Sequence, residues 1–211
     1  MFGVEGKVIM RNPKGYLSPA QIEAIIARAK RPRDELLMLL LWRTGARVTE
    51  TLEIQLEDFY WGDHEVLIKT LKRKGDSKNI KRPIALAPDA EKRIKELLKQ
   101  TGIKNGYIFP SYGKARRMTR QMAHHIIAQA AKDAGIRVAA SEPMHPHIFR
   151  HSMAMFFRNS GVKVEELQRI LGHTDISSTG YYFRIGDTDV KDRTLSVWKK
   201  YDTSKKDAID V

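Results

Sequence analysis

Apolar residues recur at helical spacing through most of the chain and at alternating spacing in one short central stretch. In "SPAQIEAIIARAK" Ser18 can cap a helix, Pro19 suits its first position and Gln21 completes a capping box. "RDELLMLLLWRTG" predicts a second, more deeply buried helix that Gly45 can end. In "ARVTETLEIQLEDF" Thr49 is the expected cap, and the period then changes. "EVLIKTL" and "NIKRPIAL" predict two short strands joined by the basic turn "KRKGDSK". Three further helices are expected in "PDAEKRIKELLKQTG", "TRQMAHHIIAQAAKDAG" and "HIFRHSMAMFFRNSG", each closed by a glycine. Short helices are expected in "KVEELQRILGH" and "SSTGYYFRI", and an amphipathic segment, "VKDRTLSVWKKY", precedes a charged tail expected to fray. The fold class is therefore mainly α with a small antiparallel β-sheet. The expected organisation is an N-terminal extension (1–16), one compact body (17–185) and a C-terminal helix and tail (186–211). That last helix suits either its own domain or a neighbouring subunit.

Composition narrows the function classes. A hydrophobic fraction of 42% in 211 residues supports a real core. The net charge of +13 and pI near 9.9 favour polyanionic partners through counterion release, although an ordinary basic protein has the same balance. The absence of cysteine excludes disulfides and thiolate metal sites and fits a reducing cytosol. "MFGVEGKVIMRNPKG" lacks the pattern of a secretory signal, and "ELLMLLLW" is too short to cross a bilayer, so a soluble, cytoplasmic location is the expectation.

Four stretches carry candidate chemistry, and each alone has a plain structural explanation. "TGARVTETLEI" places Arg47 after a glycine turn with Glu50 near enough to hold it; such an arginine is usually a structural ion-pair residue. The lysines of "KRKGDSKNIKR" crowd one turn, as solvated turns often do, yet could reach a DNA phosphate. In "HPHIFRHSMAMFF" His147 and Arg150 share a helix face. His147 and His151 have the spacing of two metal ligands, but no glutamate lies between them and Arg150 would repel a dication. In "LQRILGHTDISSTGYYFRI" His173 follows a glycine at a helix end, and Tyr181 and Tyr182 follow a Ser/Thr-rich turn.

Together the four form an inventory for phosphoryl transfer without a metal. Arginine forks fit the non-bridging oxygens of a phosphate in a way lysine cannot. Donors aimed at the developing charge are worth about 3 kcal/mol each. A tyrosine nucleophile needs such help, since ionising a phenol at neutral pH costs roughly 4 kcal/mol. A histidine base and a cationic pocket can supply it, and a lysine can protonate the leaving oxygen.

The motifs "TGARVTE", "RKG", "HIFRH" and "LGHTDISSTGYY", in this order, resemble those of the tyrosine recombinases, the phage-integrase and Xer-type family, from about Leu17 to Phe183. The resemblance implies the catalytic-domain fold of that family and assigns roles by position. Arg47 and Arg150 match its two arginines, and Glu50 the acidic partner of the first. Lys74 matches the hairpin lysine, in competition with Lys72 and Lys78. His147, rather than His145, matches the histidine of the H-x-x-R box. His173 matches the L-G-H histidine, and Tyr182, rather than Tyr181, the nucleophile. The activity implied is cleavage and rejoining of double-stranded DNA through a 3′-phosphotyrosyl link, with no cofactor, metal or ATP, by a homo-oligomer (a tetramer) on DNA. DNA contacts are expected from Lys72, Arg73, Lys78, Lys81, Arg82, Lys114, Arg116 and Arg117. The family usually carries an N-terminal helical clamp, and the short segment before Leu17 implies weaker DNA affinity than a two-domain relative. Competing readings are a type IB topoisomerase-like relaxing activity, a catalytically silent DNA-binding accessory protein, and a metal-dependent nuclease built on the histidine helix.

Overall fold

The computed structural model describes residues 10–11, 15–70, 81–111, 116–137, 144–172 and 187–207. Helices α1 (Pro19–Ile26), α2 (Pro32–Thr44) and α3 (Val48–Thr51) come first, after a two-residue strand β1 (Met10–Arg11). A single 3-10 turn (Leu56–Asp58) leads into the strands β2 (Phe59–Tyr60), β3 (Glu65–Lys69) and β4 (Lys81–Ala85). Then follow α4 (Pro88–Thr101), α5 (Arg120–Asp133), β5 (Ile136–Arg137), α6 (His147–Asn159), α7 (Val164–Leu171) and α8 (Asp187–Asp207).

Helix α2 is the axis of the molecule. Leu36, Leu37, Met38, Leu40, Leu41 and Trp42 are all fully buried, because α1, α4, α5 and α6 pack around it. Helix α1 starts as its sequence predicts: Gln21 donates its backbone N–H to Ser18 Oγ, and Ser18 N–H donates to Gln21 Oε1. It ends earlier than expected, at Ile26, because Pro32 forces Arg31 into extended backbone and the intervening residues form tighter turns.

Strands β2, β3 and β4 form an antiparallel meander with Val66 opposite Ile84 and Ile68 opposite Arg82. Alternation turns Val66, Ile68, Arg82 and Ile84 inward and leaves Lys81 and Pro83 outside. Strands β1 and β5 form a separate parallel pair. The central turn of the predicted hairpin and the predicted helix at "SSTGYYFRI" lie outside the described residues.

Helix α8 continues to Asp207, so the part of the charged tail expected to fray is helical. Long-range pairs hold it: Arg43 to Asp202 at 2.6 Å, Tyr201 Oη to Glu23 at 3.0 Å and Lys205 to Glu23 at 2.9 Å. Its Trp198, 1% exposed, meets Trp42 edge-on with ring centres 5.2 Å apart, and Phe156, Phe157 and Tyr201 complete the cluster. The apolar face around Trp198 is thus covered by this chain's own α2 and α6. Among the described residues no helix is long and apolar enough to cross a membrane.

Candidate phosphate-binding site

The site begins at the end of α2. Gly45 takes the left-handed conformation (φ 61°) that lets its N–H close on Leu41 and turns the chain away. Thr44 Oγ1 donates to Leu40 O and accepts from Ala46 N–H, which fixes the turn leading to Arg47. Arg47, not Thr49, stands immediately before α3; Thr49 lies inside the helix. The reason is Glu50, whose Oε2 accepts the Arg47 backbone N–H at 3.0 Å while its Oε1 accepts Arg47 Nη1 at 2.9 Å. One carboxylate thereby starts the helix and aims the guanidinium.

Glu50 is fully buried and takes a second guanidinium, with Arg82 Nη2 donating to Oε2 at 2.9 Å. Burial alone would raise its pKa. The charge and hydrogen bond of Arg82, joined by the two bonds from Arg47, outweigh that and hold it below the usual carboxylate range. Arg82 is among the expected DNA contacts, but in the structure it is buried. Its side chain is 7% exposed and points inward, because it occupies an inward position of β4 opposite Ile68. The signal was available: in "KRPIA" arginine shares its parity with the core residue Ile84.

Arg150 enters from the first turn of α6. Its Nη1 donates to Gly45 O at 2.7 Å and its Nη2 to Leu171 O at 2.9 Å. Both acceptors lie at helix C-termini, where the backbone carries partial negative charge. Burial, then the charges of Arg47 and Arg82, lower its pKa to about 10 against the pull of Glu50, so it remains cationic at neutral pH. A guanidinium carries more N–H groups than these two bonds use, so the fork keeps donors for an anion. Glu50 lies at the centre of this charge cluster, with Arg47 and Arg82 bonded to it and Arg150 within its field.

His147 opens α6 as a partly exposed residue, one turn before Arg150. Partial burial first, then the charges of Arg150, His145, His151 and Arg47, hold its pKa below the ordinary histidine value. His145 lies beside it, ring centres 6.4 Å apart, while the His151 ring meets Tyr16 edge-on at 5.8 Å. Ser152 anchors this helix by accepting the Leu17 N–H at 2.8 Å. Among the described residues no three His, Asp or Glu side chains gather as a metal site would need.

The structure therefore brings Arg47, Glu50, His147 and Arg150 to one place. Lys72, Arg73, Lys74, Lys78, Lys114, His173 and Tyr182 lie outside the described residues. Of the remaining expected DNA contacts, Arg116 is exposed, Lys81 pairs with Asp58, and Arg117 lies 3.6 Å from Glu53.

Known proteins resemble this chain along most of its length. A family model described as the phage integrase family matches residues 15–189. Tyrosine recombinase XerD of Listeria monocytogenes serotype 4b (strain F2365) is 32% identical over 167 residues, 76% of this chain and 52% of the relative. Tyrosine recombinase XerD of Vibrio cholerae serotype O1 (strain ATCC 39315 / El Tor Inaba N16961) is 30% identical over 200 residues, 89% of this chain and 62% of the relative. The chain thus spans between half and two thirds of the length of these relatives. Among solved structures, the XerA recombinase superposes with a TM-score of 0.64 at 21% identity, covering 90% of this chain and 63% of that one. The integrase from mycobacterium phage Brujita superposes with a TM-score of 0.67 at 18% identity, covering 86% and 57%. The XerH site-specific recombinase bound to difH substrate gives 0.64 at 23% identity, covering 78% and 48%. These structures share the fold: a mainly helical body with a small antiparallel sheet. The family model spans the segments that supply both arginines, and on that match the chain belongs to the phage integrase family.

Proposed function

We propose that this chain cleaves and rejoins double-stranded DNA as a site-specific recombinase, through a covalent bond between Tyr182 and a 3′-phosphate. The observation that carries the reading is the pairing of the Arg47 and Arg150 guanidinium groups, brought together from separate elements beside an imidazole whose pKa is lowered. Family membership and the DNA-bound XerH relative support it.

In the proposed reaction the two guanidinium groups hold the non-bridging oxygens of one backbone phosphate. The Tyr182 oxygen attacks phosphorus and gives its proton to His147, whose lowered pKa leaves the imidazole ready to accept it. The bond to the 5′-oxygen breaks as that oxygen takes a proton from Lys74. His173 donates to the phosphate as charge builds. Attack by a 5′-hydroxyl of another strand reverses these steps, and the phosphotyrosyl ester conserves the bond energy, so no nucleotide or metal enters the balance. Exchange between two duplexes calls for a homo-oligomer, a tetramer, on DNA.

The test is covalent capture. Sequencing DNA covalently attached to the protein in expressing cells defines a target, and a nicked duplex carrying it should trap a protein–DNA adduct. Tyr182→Phe should abolish the adduct, and an adduct persisting unchanged in that variant would sink the nucleophile assignment. Relaxation of supercoiled plasmid without strand exchange would point to a topoisomerase-like activity, and salt-dependent binding with no adduct to an accessory protein.

A further inference from the structure

Among the described residues Arg82 meets Glu50, Thr70 and Gly172 from its inward position. Nη2 donates to Glu50 Oε2 at 2.9 Å. Nη1 donates to Thr70 Oγ1 at 3.1 Å, which ties the end of β3 to the start of β4. The rest of the guanidinium lies against Gly172, where an added Cβ would stand 2.8 Å from both Cζ and Nε. Gly172 immediately precedes His173 in sequence. Among the described residues Arg82 Nε has no hydrogen-bond partner, so this charge is buried at some cost to stability. A side chain kept only for packing would serve better as an apolar residue of similar volume.

What Arg82 does hold is the carboxylate that aims Arg47. Glu50 Oε2 is shared between the Arg82 guanidinium and the Arg47 backbone, and Oε1 holds the Arg47 side chain, which is 37% exposed. Without Arg82, a fully buried carboxylate would keep its two bonds to Arg47 but lose the buried guanidinium that balances its charge from the side of β4. Arg47 would then be anchored to a group held from one side, by its own helix start and its own partly solvated side chain.

We propose that Arg82 is a positioning residue for DNA cleavage: through the shared Glu50 carboxylate it sets where the Arg47 guanidinium meets the phosphate. The proposal rests on the functional reading above and adds to it a residue that touches neither DNA nor the reacting atoms. A displacement of about 1 Å at a charge-stabilising group costs about a hundredfold in rate.

Two variants of the full chain, Arg82→Lys and Arg82→Met, test it on the captured target duplex. Single-turnover cleavage at saturating protein should fall about a hundredfold in Arg82→Met with DNA affinity unchanged. Arg82→Lys keeps the charge and loses the fork, and should remain at least about tenfold slow. Adding Glu50→Gln to Arg82→Met should cost little beyond the slower single variant, since both act through one contact. Replacing the leaving 5′-oxygen by sulfur, which departs without a proton, should rescue Lys74→Ala and leave Arg82→Met slow. Wild-type cleavage in Arg82→Met, fully additive losses with Glu50→Gln, or full rescue by sulfur would each overturn the proposal, the last by routing the effect through Lys74.

A DNA-free measurement separates this proposal from the functional reading and from loss of fold. Nitrogen-15 NMR should show hindered rotation of the Arg47 guanidinium in the wild type, lost in Arg82→Lys while the backbone spectrum is preserved. If Arg47 stays ordered in both variants, the proposal falls whatever cleavage shows. If Arg47 loosens but the wild type forms no adduct on any DNA, the functional reading falls and the hold of Arg82 on Arg47 stands.

Discussion

The Arg150 guanidinium donates a 2.7 Å hydrogen bond to the carbonyl oxygen of Gly45, a residue 105 positions earlier in the chain. The turn that ends α2 therefore also orients an arginine of the candidate site. Gly45 meets α6 and α7 at this point: a Cβ would stand 2.8 Å from Leu171 Cδ2 and 3.0 Å from Met153 Sδ.

Gly45→Ala should consequently damage stability and activity together. Its φ of 61° is unfavourable for any residue with a Cβ, and Met153 and Leu171 are buried and have little room to yield. The expected loss is about 2 to 4 kcal/mol in urea unfolding. Cleavage should fall further than the unfolded fraction explains, because the displaced carbonyl no longer holds Arg150. An alanine variant with wild-type stability and rate would show that the turn is not the constraint described.

Asp202 and Arg43 make a second prediction. Both side chains are at most 10% exposed, and Arg43 also lies over the rings of Trp198 and Tyr201 at 4.6 and 5.3 Å. Asp202→Ala leaves that cation buried and should cost about 3 to 5 kcal/mol in chemical denaturation. Replacing both partners, Arg43→Met with Asp202→Leu, should recover most of the loss, since no charge is then stranded. A double variant as unstable as Asp202→Ala would argue that packing against the tryptophans, not charge, is what Arg43 supplies.

These pairs mark how far the sequence could be read. Local spacing was enough for Ser18 with Gln21, for Gly45 ending α2, and for Glu50 beside Arg47, because each partner lies within one helical turn. The H-x-x-R spacing likewise placed His147 and Arg150 on one helix. The pairing of Arg82 is not legible locally, because hairpin arginines are usually solvated and its partner Glu50 is 32 residues away. Residue type favours Thr49 as a cap, yet the Glu50 carboxylate decides where α3 begins. The helical tail of α8 depends on Arg43 and Asp202, 159 residues apart, a pairing that no local pattern encodes.

Acid should loosen the same site through Glu50. Its folded pKa lies below the 4.5 of an unconstrained glutamate, so between those values the unfolded chain binds a proton that the folded chain refuses. The contribution is fully present above 4.5 and is lost as pH falls through the lowered value. Unfolding measured from pH 6 down to pH 3 should show stability declining below about 4.5 in the wild type. Glu50→Gln should be less stable at neutral pH and show a shallower decline. Parallel curves for the two proteins would mean that other carboxylates carry the acid response.

In the proposed reaction His147 should set the acid edge of activity. Burial and the cations Arg150, His145, His151 and Arg47 keep its imidazole neutral below 6.5, where an isolated histidine would already be half protonated. As pH falls below 6.5 the folded state resists the proton that the unfolded chain accepts, so the stability contributed by this group declines in that window. The base form needed for cleavage persists until the lowered folded pKa is reached. Cleavage measured at limiting DNA, which reports the free enzyme, should thus stay flat from pH 8 to about 6.5 and drop only below it. His147→Gln should cleave about 10² to 10⁴ times more slowly and lose that acid limb. If the variant keeps both the rate and the limb, the proton of Tyr182 leaves by another route, and His173 becomes the group to test.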